Sequence, residues 1–236
     1  MGLGIFTVIE GIDGSGKGTQ TKLLESYLKS KERPVFSRHY PTYESTELGS
    51  TILEMLQEET VLVHKPTYKQ HTSDAIPLEI WCNQDHFLEL GKHSLSPMVL
   101  QALFAVDRYQ VDTENRRMLR AGHHLVFDRY YQSSVVYGQA SGIDTKWLKS
   151  INSSLLQPDV AILLDTNPEV SNIRRPGRRD SFEKDFQLLE QVAFNYRQYW
   201  DLFCHSGKYH IVDANQSVDA VHHQIVKIWE EAIKRQ

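Results

Sequence analysis

Residues 11–20 read Gly-Ile-Asp-Gly-Ser-Gly-Lys-Gly-Thr-Gln and contain the groups best suited to hold a polyphosphate. The glycines allow backbone conformations that a side chain would forbid, so amide N–H groups can point at phosphate oxygens. Lys17 adds a mobile positive charge for the β- and γ-phosphates. An apolar run at 4–9 precedes the segment and an amphipathic run at 22–28 follows it. A strand, a glycine-rich turn ending in Gly-Lys, and a helix predict a nucleotide-binding phosphate loop.

An aromatic residue and an arginine stand four residues apart at Phe104 and Arg108. On a helix the two side chains share a face. The ring can then stack on a base while the guanidinium forks onto a phosphate or a carbonyl. The alternative interpretation is that Phe104 belongs to the core and Arg108 to the surface.

An acid and an arginine, Asp128 and Arg129, end the apolar run 124–128. Charges at the end of a buried strand are costly unless they have partners. Asp128 is suited to orient Mg²⁺ or its waters, and Arg129 to hold a transferring phosphate. A structural ion pair is the alternative.

Four arginines flank a Pro-Gly pair within residues 173–180. A predicted helix follows, and Asp180 and Glu183 have the spacing of a capping box at its start. Phosphoryl transfer needs positive charge in its transition state, and a closing loop can bring an arginine. The segment therefore predicts a lid over 171–182, with a solvated basic loop as the alternative.

Strand-like runs alternate with helical patterns along the chain. The predicted strands are 4–9, 34–38, 124–128, 159–165 and 209–213, and the predicted helices include about 46–58, one from 96–97, one after 144, 181–204 and 217–234. This order predicts an α/β fold of three layers, with a five-stranded parallel sheet flanked by helices. Ligands of such folds bind beyond the carboxyl ends of the strands.

Composition predicts one ordinary globular domain over 1–236. The net charge of −4 gives no broad basic field for nucleic acid. Two cysteines, an N-terminus without a charged leader, and no transmembrane run predict a protein of the cytoplasm, or of another reducing compartment, without a membrane partner. Residues 60–94 lack a clean period and predict an insertion or an elaborated substrate region, whose histidines and cysteine match no familiar zinc spacing.

The segments EGIDGSGKGTQ, ALFAVDRYQ, VFDRYYQSS and PDVAILLDTNPE together resemble the thymidylate kinases, a branch of the P-loop nucleoside monophosphate kinases. The resemblance runs along nearly the whole chain. It implies transfer of the ATP γ-phosphoryl group to dTMP, giving dTDP and ADP, with Mg²⁺ as cofactor. It also implies a homodimer and a mobile arginine-rich lid.

The resemblance assigns roles to particular residues. Asp13 would accept a hydrogen bond from the 3′-hydroxyl of the deoxynucleotide, Phe104 would stack on thymine, and Tyr137 would limit space at the sugar 2′ position. Arg38, Arg108 and Arg129 would reach the monophosphate. Ser133 and Tyr137 would line the pocket for the deoxyribose and the base. ATP would contact Gly11, Ile12, Asp13, Gly14, Ser15, Gly16, Lys17, Gly18, Thr19, Asp213 and Ala214.

Three positions depart from common family patterns. Gly18 replaces a serine or threonine, so the metal ligands expected here are Thr19 and Asp128. Gly14 stands where some members carry an arginine, and Ser181 replaces another arginine. The catalytic set is therefore predicted as Lys17, Arg129 and a lid arginine, Arg178 before Arg174.

Two other functions remain open on the sequence. One is a kinase for another nucleoside monophosphate or for a deoxynucleoside. The other is a nucleotide-binding regulator without catalysis, which Lys17, Asp128 and Arg129 disfavour.

Overall fold

A computed structural model describes residues 3–57, 96–174, 182–203 and 208–235. The predicted insertion and most of the predicted lid, Arg178 included, lie outside the described residues. The strands are β1 (Phe6–Glu10), β2 (Val35–His39), β3 (His124–Asp128), β4 (Val160–Asp165) and β5 (Tyr209–Asp213). The helices are α1 (Lys17–Ser30), α2 (Glu47–Gln57), α3 (Pro97–Arg120), α4 (Tyr131–Ala140), α5 (Thr145–Ile151), α6 (Pro168–Ile173), α7 (Phe182–Phe203) and α8 (Val218–Ile233).

The five strands form one parallel sheet in the order β2-β3-β1-β4-β5. This confirms the predicted fold class. The chain order changes direction at β1, whose carboxyl end lies between those of β3 and β4. Such a switch point opens a crevice for ligands in doubly wound sheets.

The three central strands are buried on both faces, and side chains along the first of them alternate between two cores. Ile5 and Ile9 pack with α1 and α8, ending at Trp229. Phe6 and Val8 pack with side chains of β3 and of helices α3 to α5. Covering both faces explains why the central strands are continuously apolar.

Helix starts follow the expected capping chemistry. Ser96 accepts a hydrogen bond from Val99 N at 3.3 Å, with Pro97 in the first turn of α3. Asp144 and Ser217 cap α5 and α8 in the same way. Within the described ranges, no helix is both long and apolar enough to cross a membrane.

Candidate active site

The phosphate loop connects β1 to α1 through three glycines with positive φ, at Gly11, Gly14 and Gly16. Gly11 lies so close to β4 that an added Cβ would be 2.8 Å from the oxygen of Leu164. Gly16 caps α1 in the left-handed conformation with φ 94°, and no side chain caps the helix there. The first N–H groups of α1 are therefore open to an anion, as the sequence predicted.

Lys17 lies inside this loop, where its Nζ donates to the oxygen of Ile12 at 2.8 Å. Burial and, to a smaller extent, the positive charge of Arg129 lower the pKa of Lys17 to about 7, although the nearby carboxylates act to raise it. A phosphate anion placed here would restore the charged form. In the loop, the nearby carboxylates therefore do not offset the effect of burial on the charged form of Lys17.

Arg129 occupies a strained turn directly after β3, with φ 67°. Its guanidinium forms an ion pair with Asp13 and donates to the oxygen of Gly11 at 3.3 Å and to Ser133 Oγ at 3.1 Å. It also lies 5.3 Å from the ring centroid of Tyr137. A non-glycine residue in this conformation persists only where its surroundings fix it, which is common at active sites.

Glu10 supplies much of that fixation, although the sequence reasoning gave it no role. Its fully buried carboxylate accepts from Tyr130 N at 2.7 Å, from Ser133 N at 3.2 Å and from Ser133 Oγ at 2.7 Å. Tyr196 of α7 donates to it as well, at 2.7 Å. The signal in the sequence was a charge at the end of an apolar strand, which requires partners when buried.

A pocket of about 190 Å³ opens beside Arg129 at the carboxyl end of the sheet. Its lining includes six predicted substrate residues, Asp13, Phe104, Arg108, Arg129, Ser133 and Tyr137. Tyr40, Pro41, Tyr43, Gln101 and Ser134 also line it and were not predicted. We call this the acceptor pocket.

Arg108 is buried in the acceptor pocket, which excludes the predicted alternative of a surface charge. Its Nη1 donates to the oxygen of Phe104 and to Ser134 Oγ, both at 2.9 Å. Its guanidinium also lies 6.0 Å from the ring centroid of Tyr40. Burial lowers the pKa of Arg108, opposed by nearby phenols and carboxylates.

Arg38 does not line the acceptor pocket. Its Nη2 pairs with Glu114 at 2.7 Å, and its side chain faces a neighbouring groove with Phe36 and Pro41. The next strand residue, His39, faces Asp128 instead. Alternation along β2 therefore places Arg38 on the side of α3 and His39 on the side of Asp128.

A second pocket of about 300 Å³ lies on another side of the phosphate loop, and we call it the donor pocket. Gly14, Ser15, Gly16 and Thr19 line it together with Arg174 and Ala214. Arg174 donates to the oxygen of Ala214 at 3.0 Å. Asp213 precedes this position at the end of β5, where its carboxylate accepts from Asn215.

Asp128 offers the best oxygen for a divalent cation. Its Oδ2 lies 3.3 Å from His39 Nδ1, whereas its Oδ1 is buried and makes no hydrogen bond. Burial raises the pKa of Asp128, but the bond from His39 and the charge of Lys17 outweigh this and lower it overall. A carboxylate held ionised with a free oxygen fits Mg²⁺.

The other expected metal residue, Thr19, is exposed and lines the donor pocket, which Asp128 does not. A Cβ at Gly18 would lie 3.3 Å from Asp128 Oδ2, so position 18 of the loop lies close to this carboxylate. No group of three His, Cys, Asp or Glu side chains suited to a metal occurs among the described residues. A bound Mg²⁺ would therefore take most of its ligands from phosphate and water.

The family model for thymidylate kinase matches residues 9–71 and 85–225. A probable thymidylate kinase from Pyrococcus horikoshii is 32% identical over 228 residues, covering 95% of each chain. A thymidylate kinase from Schizosaccharomyces pombe is 26% identical over 226 residues, covering 95% of this chain and 91% of its own.

The fold has a counterpart among solved structures. The thymidylate kinase of Candida albicans superposes with a TM-score of 0.72 at 22% identity, covering 99% of this chain and 94% of the other. The matched sequence contains the phosphate loop and the residues that line both pockets. The chain belongs to the thymidylate kinase family.

Proposed function

We propose that this kinase transfers the γ-phosphoryl group of ATP to dTMP in the cytoplasm, giving dTDP and ADP for dTTP synthesis. The observation that carries the proposal is a phosphate loop between two pockets, one with Phe104 and Arg129, the other with Arg174 and Ala214. Two nucleotides in these pockets would bring their phosphates together at the loop.

The acceptor pocket suits a pyrimidine nucleotide with its phosphate toward the loop. Arg129 contacts the loop at Gly11 and Asp13, so it would hold the monophosphate. Asp13 would accept from the 3′-hydroxyl, as the resemblance implies. Phe104 would stack on the base. Arg108 contacts Ser134 rather than the Arg129 cluster, and this favours the carbonyl alternative for Arg108 over the monophosphate.

The contacts of Arg38 argue against a part in the phosphate site in this conformation. Its partner Glu114 would have to be exchanged for the substrate. We therefore assign the monophosphate chiefly to Arg129.

Charge neutralisation would carry most of the rate enhancement. Lys17 would contact the β- and γ-phosphates, and Arg174 supports a lid contribution because it already lines the donor pocket. Arg178 remains a prediction, as does the homodimer implied by the resemblance. Bound Mg²⁺ would supply further positive charge to the phosphates, with Asp128 as its protein ligand.

A strong general base is unnecessary, because the attacking oxygen belongs to a phosphate that is already anionic near neutral pH. Asp128, with its hydrogen bond from His39, therefore serves the metal and not proton abstraction. Closing the lid would exclude water and suppress ATP hydrolysis.

The test is a coupled ADP-release assay with ATP, Mg²⁺ and each common nucleoside monophosphate, with thymidine as a further acceptor. We expect the largest kcat/KM for dTMP. Transfer to thymidine alone would identify a deoxynucleoside kinase instead. ATP binding without transfer to any acceptor would refute a catalytic function.

A further inference from the structure

Gln101 is a buried polar residue that lines the acceptor pocket. It lies on α3, one turn before Phe104, and only 5% of it is exposed. Its carboxamide oxygen Oε1 is buried and makes no hydrogen bond. Burying an amide oxygen in this way costs free energy that a ligand with a matching donor would recover.

The position of Gln101 places it with the base-binding side chains. Residues 101, 104 and 108 fall on one face of α3, with the aromatic residue between the two polar ones. Gln101 packs against α4, where a Cβ at Gly138 would lie 3.3 Å from Gln101 Cγ. Arg108 meets α4 one turn earlier, at Ser134. Gln101 and Arg108 thus flank Phe104 along one wall of the pocket.

We propose that Gln101 recognises the pyrimidine through N3, its Oε1 accepting the N3–H, while Arg108 donates to the neighbouring O4. This inference rests on the proposed function. Thymine and uracil present a donor at N3 beside an acceptor at O4, whereas cytosine presents an acceptor beside the N4 amino donor. The pair therefore selects dTMP and dUMP against dCMP, and Gln101 does not read the 5-methyl group.

A matched pair of substitutions isolates this contact. Gln101→Met keeps the approximate side-chain volume and removes the acceptor. Gln132→Met is the control, because Gln132 is 1% exposed, both of its carboxamide atoms are buried without hydrogen bonds, and it does not line the acceptor pocket. The readout is kcat/KM for dTMP, dUMP and dCMP, with melting temperatures measured beside it.

We expect Gln101→Met to lower kcat/KM for dTMP and dUMP by about tenfold, the factor of roughly one hydrogen bond, with a smaller change for dCMP and for the KM of ATP. The ratio of kcat/KM for dTMP to kcat/KM for dCMP then falls, while the ratio of kcat/KM for dTMP to that for dUMP stays as in the wild type. Gln132→Met keeps all of these ratios.

A substrate change tests the same contact without any mutation. The monophosphate of 3-methylthymidine lacks the N3–H but keeps the O4 carbonyl, so the wild type should use it at least tenfold less efficiently than dTMP. Gln101→Met should show a smaller difference, because its side chain accepts no hydrogen bond from N3–H. Equal use of the two substrates by the wild type, or equal ratios in Gln101→Met and Gln132→Met, overturns the inference. Absence of transfer to dTMP by the wild type would instead refute the proposed function.

Discussion

Lys17 is a buried ammonium group in the phosphate loop, and its surroundings disfavour its charge until phosphate arrives. Lys17→Met keeps the aliphatic stem but removes the charge, so kcat should fall by about 10²–10³-fold, as for other lost transition-state donors. Steady-state kinetics with saturating ATP and dTMP measures this. Lys22→Met, on the exposed side of α1, is the control and should keep a normal kcat.

Lys17→Met should also raise the free energy of unfolding of the protein measured in the absence of nucleotide. The pKa of Lys17 near 7 lies below the value of 10.5 for an unburied lysine, since burial disfavours the charged form. Between these pH values the unfolded chain binds a proton that the folded chain does not, so stability rises from pH 7 toward pH 10.5. Thermal melts at pH 7 and pH 9 should show this rise in the wild type but not in Lys17→Met. An equal rise in both proteins would contradict it.

Two residues of the site had signals in the sequence that pattern reasoning did not use. Glu10 is a carboxylate at the end of an apolar strand, and Gln101 is an amide on the same helical face as Phe104. A role for each depends on the direction of its side chain and on partners far along the chain, such as Tyr196. Periodicity predicts the face of an element but not these distant partners.

The hydroxyl of Tyr196 connects helix α7, through Glu10, to the turn that carries Arg129. Burial raises the pKa of Tyr196, as does the charge of Glu10, so the hydroxyl stays protonated and donates to that carboxylate. Tyr196→Phe should lower stability by about 1.5–3 kcal/mol, the range for a hydrogen bond to a charged group. It should also lower kcat, because the turn that holds Arg129 loses a support.

Urea unfolding and kinetics below the melting range measure the two effects of Tyr196→Phe. Tyr109→Phe on the more exposed surface of α3 serves as the control. A kcat equal to that of the control would show that Tyr196 supports only the fold.

Helix α2 packs on the loop 40–46 through Gly49. A Cβ at this position would lie 2.1 Å from the oxygen of Thr42, whose N–H is bound to Asp107 at 2.9 Å. Gly49→Ala must displace the loop, which contributes Tyr40 and Tyr43 to the acceptor pocket. We expect KM for dTMP to rise about tenfold, a 1.4 kcal/mol effect, with little change in KM for ATP.

The control for Gly49→Ala is Thr51→Ala, an exposed position on the same helix. If both variants kept the wild-type KM for dTMP, the loop would not shape the acceptor pocket. Equal increases in both KM values would point to general unfolding instead.

The elements were predicted to different degrees. All five strands fell within two residues of their predicted bounds, because apolar runs bounded by polar turns are typical of buried strands. Helix α4 was missed: it is buried over nearly its whole length, so its sequence shows no amphipathic period, and its serines and valines do not favour a helix. Helix α6, with six residues, was too short to produce a period.

At the scale of the whole molecule, the order of strands was the decisive information that the sequence could not supply. Five parallel strands were predicted, but the pairing of β1 with β3, in the order β2-β3-β1-β4-β5, brings the ends of these two strands together and so places Asp13 beside Arg129. A contact between side chains on separate strands depends on this topology as well as on motif identity.

The most direct measurement is a crystal structure with adenosine and thymidine joined 5′ to 5′ through five phosphates. We predict thymine on Phe104, the adenosine beside Ala214, and the phosphate chain crossing the loop at Lys17. Thymidine bound outside the acceptor pocket, or phosphates away from the loop, would contradict the account.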